Sequence, residues 1–170
     1  MISGLKEWAF IVDALGKGKQ NIILRKGGIA EDGGEFKIQA KKFLLFPTQF
    51  HQTTDLIKPD WLPFLDGNRF RIDDHTVKVE YFAEVVDSKI VTQIEAVKKL
   101  EMYHAWSDSV VEERFNRWDK SVHVMIVQVF KLLEPRDITV KPEYSGCKSW
   151  IDIDENIELT GKLVLNPSIH

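Results

Sequence analysis

The clearest pattern in the chain is an alternation at 77–85: Val77, Val79, Tyr81, Ala83 and Val85 share one face, and Lys78, Glu80, Phe82 and Glu84 the other. A period of two predicts a half-buried strand. A second long strand is expected at 122–133, with Val122, Val124, Ile126 and Val127 inside it. Glu134-Pro135 is expected to end it, before a β-branched strand at 138–140. The run 43–46 is apolar at every position and stops at Pro47, which reads as a central strand. Residues 20–24 read as a strand ending at Arg25-Lys26-Gly27-Gly28, where the glycines mark a sharp turn. Phe36 and Ile38 suggest a short edge strand. Trp150, Asp152 and Asp154 alternate after a Ser145-Gly146 turn.

Helical spacing is rarer. Ile94, Val97, Leu100 and Met102 recur near it, and a second helix opening at Ser107 or Asp108 carries Val110, Val111, Phe115 and Trp118, with Glu113 and Arg114 on its polar side. At the start of the chain two periods compete. Trp8, Phe10 and Val12 alternate as in a strand, whereas Trp8, Ile11, Val12 and Leu15 make a helical stripe, until Gly16 and Gly18 end both. Thr48 reads as the N-cap of a short helix carrying Phe50, His51 and Leu56, and 58–68 as a loop. Strands therefore dominate, with two helices between two long strands and no βαβαβ alternation. This order predicts an α+β fold, a small mixed β-barrel with inserted helices.

The chain has 170 residues, 44% of them hydrophobic, which suits one core and a single domain over 1–170. With 23 basic and 26 acidic residues the net charge is −3, so no global positive field draws the chain to nucleic acid, and such a contact must be a local patch. The lone Cys147 allows no intramolecular disulfide and no cysteine zinc cage, which fits a reducing cytoplasm. Glu7 and Asp13 interrupt the apolar start, and no segment approaches the ~20 apolar residues of a membrane span, so neither export nor a membrane partner is expected. His75, His104 and His123 are too scattered for a ligand set, so neither a metal nor a cofactor is expected. A P-loop is excluded because Lys26 precedes its glycines.

The segments KEWAFIVDALGKGKQNIILRKGGI at 6–29, FLLFPTQFHQ at 43–52, EPRDITVKPEYSGCKSWIDI at 134–153 and, more weakly, LEMYHAWSDSVVEERF at 100–115 resemble the bacterial family called domain of unknown function 1802. That name implies no activity. DALGKGKQNIILR is also similar to the opening of the ASCH group of PUA-like domains, and the strand at 122–133 with Glu134-Pro135 to the closing strands of PUA-like and EVE barrels. This second resemblance implies a PUA-like mixed barrel with RNA, DNA or a modified nucleobase as partner.

The candidate site residues lie at element ends. Arg25 and Lys26 beside Gly27 and Gly28 combine a guanidinium fork with closely approachable backbone, an arrangement suited to anions. The plain alternative is a hairpin turn with both cations solvated. Thr48, His51 and Gln52 suit a polar pocket, with capping by Thr48 as the alternative. Lys148 and Trp150 offer charge and stacking, as in single-strand binders; the plain alternative is Cys147 as a small buried hydrophobe, with Lys148 exposed and Trp150 packed on the core. Arg114 and Arg117 read as a solvated helix face. Three functions stay open: a binding module using these residues, an enzyme on nucleotide or nucleic acid with His51 as general acid/base, and an interaction protein without a small-molecule site.

Overall fold

The computed structural model describes residues 1–26, 36–49 and 53–165. Eight strands form one mixed sheet with helices set against it, an α+β architecture. In chain order these are β1 (Ile2–Trp8), α1 (Ala9–Gly16), β2 (Ile22–Arg25), β3 (Lys42–Thr48), β4 (Arg71–Asp73), β5 (Thr76–Val91), α2 (Ile94–Lys98), α3 (Asp108–Asn116), β6 (Val122–Thr139), β7 (Trp150–Ile153) and β8 (Gly161–Leu163). The sheet order is β2-β6-β5-β3-β1-β7, with β4 added to β5 and β8 to β6. Among the described residues only β1 and β3 pair in parallel.

The competing periods at the start are both real, in succession. Alternation ends at Trp8, which caps α1, and the helix then buries Ala9, Ile11, Val12, Asp13, Ala14 and Leu15. A helix buried on nearly every side needs partners for its charge. Asp13 finds them in Arg69 at 2.8 Å, Lys17 at 2.7 Å and the Asp66 amide at 2.8 Å. Gly16 ends α1 against the Tyr81 ring, where a Cβ would sit 2.3 Å from a ring carbon.

The run at 43–46 is central as expected, and its continuous apolarity follows from burial on both faces. Phe43 and Leu45 enter one hydrophobic cluster with Leu5, Ile11 and Trp106, and Leu44 and Phe46 enter another with Val79, Phe82 and Ile153. Pro47 lies within β3 and does not stop it. Pairing of β3 with β5 covers only Lys42, Phe43 and Leu44, so the missing N–H falls where that edge is unpaired.

Two other boundaries differ from the sequence reading. Glu134-Pro135 does not end β6, which runs on to Thr139 and absorbs the strand expected at 138–140. Val79 pairs with Arg136 and Tyr81 with Lys131, so a bulge takes up the extra residues, including the proline that cannot donate to the ladder. Residues 36–40 form no strand. Phe36 is instead buried against Trp150, ring centroids 6.0 Å apart.

Among the described residues no backbone pairing joins the outer strands β2 and β7. The Arg25 side chain crosses that gap. Its Nη1 donates to the Lys6 carbonyl at 3.2 Å and approaches the buried Glu7 carboxylate at 3.4 Å, while Nη2 donates to Ser149 Oγ, next to β7. A side chain therefore closes the seam that hydrogen-bonded strands leave open. Among the described residues no helix is long and apolar enough to cross a membrane.

Candidate functional site

A cavity of about 950 Å³ opens where the ends of β1, β2 and β3 meet α3 and the segment 144–149. Its described lining carries seven cations, Lys6, Arg25, Lys26, Arg71, Arg114, Arg117 and Lys148, against three carboxylates, Asp73, Asp74 and Glu113. That local excess of positive charge stands against a whole-chain charge of −3. Trp8, Phe46 and Tyr144 add aromatic surface.

These cations differ in what they have left to offer. Lys26 is nearly buried, and its ammonium donates to the Asp119 carbonyl at 2.7 Å, the Asp119 carboxylate at 2.6 Å and the Ser121 carbonyl at 2.5 Å, so it fastens the turn after α3. Lys6 Nζ donates to the Tyr144 and Gly146 carbonyls, each at 2.8 Å, and holds the 144–149 segment against β1. Burial, then the nearby charges of Lys148 and Arg25, push the Lys6 pKa down. Arg117 is held by Glu113 through two hydrogen bonds of 2.8 and 2.5 Å, which raises its pKa. Arg71 pairs with Asp74.

Arg114 and Lys148 are different. Arg114 is only 9% exposed and makes one hydrogen bond, from Nη1 to the Leu24 carbonyl at 2.8 Å. Its guanidinium lies over the rings of Trp8 and Trp106, 5.0 and 5.1 Å from their centroids. Burial lowers its pKa to about 10, opposed by Glu7 and reinforced by the positive charges of Arg25 and Arg117. It stays charged at neutral pH. Lys148 is half-buried and has neither a hydrogen bond nor an ion pair among the described residues.

Of the residues expected from sequence, Arg25, Lys26, Thr48 and Lys148 line this one cavity. Thr48 is the last residue of β3, its hydroxyl donates to the Glu7 carbonyl at 3.2 Å, and the start of the helix expected after it falls on residues 50–52, outside the described residues. Trp150 is not among them. Its ring is buried in the core, edge-on to Phe43 at 5.0 Å, and its Nε1 donates to the Lys37 carbonyl at 2.7 Å, so it supplies no stacking face to the cavity. Gly27, Gly28, His51 and Gln52 lie outside the described residues. Cys147 is exposed and not buried as expected.

Sequence reasoning missed Lys6 and Trp8 and misplaced Arg114. Lys6 lies one position from buried Leu5, in a segment whose period was ambiguous. Arg114 does carry a signal: it is three residues from Val111 and four from Val110, on the buried stripe of α3. Among the described residues no group of three or more His, Cys, Asp or Glu side chains could hold a metal ion.

The chain matches the family model described as Domain of unknown function (DUF1802) over residues 4–168, and it belongs to that family. No curated protein matches it. Among solved structures it is similar to the ASCH protein from Zymomonas mobilis, with 8% identity and a TM-score of 0.44 over 83% of this chain and 73% of that one.

Proposed function

We propose that this family member is a non-enzymatic binding module whose cleft holds a nucleic acid, nucleotide or related anionic ligand. The observation that carries the reading is the excess of cations in one cavity of a chain that is negative as a whole. Cations gathered on low-dielectric walls focus their field into the recess and raise the local concentration of anions. The volume, about 950 Å³, falls at the upper end of the range for small-ligand sites. Lys148 supports the reading further, because a cation without a hydrogen bond or ion pair among the described residues is available to a ligand.

The test is fluorescence anisotropy with a labelled single-stranded RNA across a salt series. Binding is expected to weaken as salt rises, and Lys148→Ala to lower affinity and flatten the log–log slope by about 0.7, one contact's worth of released counterion. Lys148 is the right probe because it makes no hydrogen bond or ion pair among the described residues, so its removal breaks none of those that hold the fold. Absence of binding to RNA, DNA and nucleotides alike contradicts the proposal.

A further inference from the structure

Arg114 is the one cation in the cleft that is deeply buried and has no carboxylate salt bridge among the described residues. Sequestering a guanidinium from water is unfavourable unless an anion compensates it. Glu7 lies near but is already engaged, accepting from the Trp8 amide at 2.9 Å and meeting Arg25. Glu113 is bound by both nitrogens of Arg117 that reach it. Neighbouring Arg25 and Arg117 repel Arg114, and Lys148 and Arg25 repel Lys6, so Arg25 adds positive potential at both groups.

Geometry prepares Arg114 for an oxyanion. The guanidinium carbon lies over both indole rings, 5.0 and 5.1 Å from their centroids, and the backbone of Leu24 takes one nitrogen, so packing and one hydrogen bond restrict the group. The other N–H groups have no protein partner among the described residues, and they are not shut away from the cavity that Arg114 lines. A guanidinium so restricted, with a free edge, suits two parallel hydrogen bonds to one phosphate.

We propose that this buried wall is a terminal-phosphate site, in which Arg114, with Arg25 beside it and Lys6 and Lys148 on the lining of the same cavity, takes the dianionic phosphomonoester that ends a nucleotide or a nucleic-acid strand. The inference rests on the anion-binding reading of the cleft and narrows it. A phosphodiester continues in both directions and carries one charge; it cannot bring a non-bridging edge onto a group that is nine-tenths buried without the strand leaving the cleft on both sides. A terminal phosphate enters end-on and brings two charges to four cations.

The experiment compares, on the full chain, one short single-stranded RNA with a 5′-phosphate, a 3′-phosphate or only hydroxyl ends, by anisotropy, and a nucleoside monophosphate and inorganic phosphate by calorimetry. A phosphorylated end is expected to bind at least tenfold more tightly than the hydroxyl form, with Lys148→Ala and Arg114→Lys both narrowing that ratio. Arg114→Lys keeps the charge and loses the fork, and thermal melting establishes that each variant is folded. Tight binding of the nucleoside monophosphate, with no gain from the rest of a strand, supports the phosphate site and assigns it to a free nucleotide. Equal affinity for phosphorylated and hydroxyl ends overturns the terminal-phosphate site while leaving the anion-binding cleft standing. Failure of every ligand to bind overturns both.

Discussion

Replacing Arg25 by alanine should damage the fold before it affects any ligand. The side chain is 14% exposed and joins β2 to the Lys6 carbonyl and Ser149 across the seam between β2 and β7, where no backbone pairing occurs among the described residues. Its removal also leaves the fully buried Glu7 carboxylate without its cation. Breaking a buried pair by deleting one partner costs about 3–5 kcal/mol, and the two hydrogen bonds to the charged guanidinium, at about 1.5–3 kcal/mol each, give a similar figure. Against a typical domain stability of 5–15 kcal/mol this is about a fifth or more. Urea denaturation followed by tryptophan fluorescence measures it. Arg25→Lys should recover only part, because one ammonium cannot reach Ser149 and the β1 carbonyl together. Glu7→Gln should soften the Arg25→Ala loss, since an amide left behind is less costly than a carboxylate. A loss under about 1 kcal/mol for Arg25→Ala, with a transition as steep as the parent's, would refute the seam argument.

Two further outcomes follow from packing and burial. His104 is buried, and desolvation, with Lys58 and Arg114 nearby, outweighs the backbone of Trp106 and lowers its pKa from 6.5 to about 3. The unfolded chain accepts this proton below pH 6.5 and the native one refuses it until about pH 3, so stability is complete above that window and falls across it, by at most about 1.4 kcal/mol per pH unit. His104→Gln should flatten the acid limb of a pH-dependent melting series, leaving the smaller contribution of His123, which burial shifts the same way; an unchanged limb refutes the assignment. Gly16→Ala forces a methyl to within 2.3 Å of the Tyr81 ring and should destabilise by about 1–3 kcal/mol in the same urea assay, where no effect would contradict the packing described.

What the sequence revealed depended on whether one face met water. The alternation at 77–85 and the apolar run at 43–46 were legible because burial on one face or on both imposes its own period, and both became central strands of the sheet. For Arg25, Lys26, Thr48 and Lys148 the sequence shows only that they sit at element ends, not that they share one cavity. Local pattern does not encode how far Lys148 lies from Arg25 in space, because that distance is set by sheet order. Arg114 was misread because a charge in a helix was assigned to solvent by type, although its spacing from Val110 and Val111 put it inward. Trp150 was misread in the opposite sense, as an exposed stacking ring, although alternation within β7 already set it against the core. Pro135 looked like a strand end because a bulge that accommodates proline depends on the register of the neighbouring strand, which no local window contains.

The most direct measurement is a ¹H–¹⁵N NMR titration of the 19.7 kDa chain with inorganic phosphate and then a nucleoside monophosphate, following backbone amides and arginine Nε–H groups. The account predicts saturable shifts gathered on the cleft: the Nε–H of Arg114, the amides of 6–8 and 146–149, and α3. Gly161–Leu163 in β8 should stay still. Shifts scattered over the surface, or a cleft that remains silent while another face responds, would contradict it.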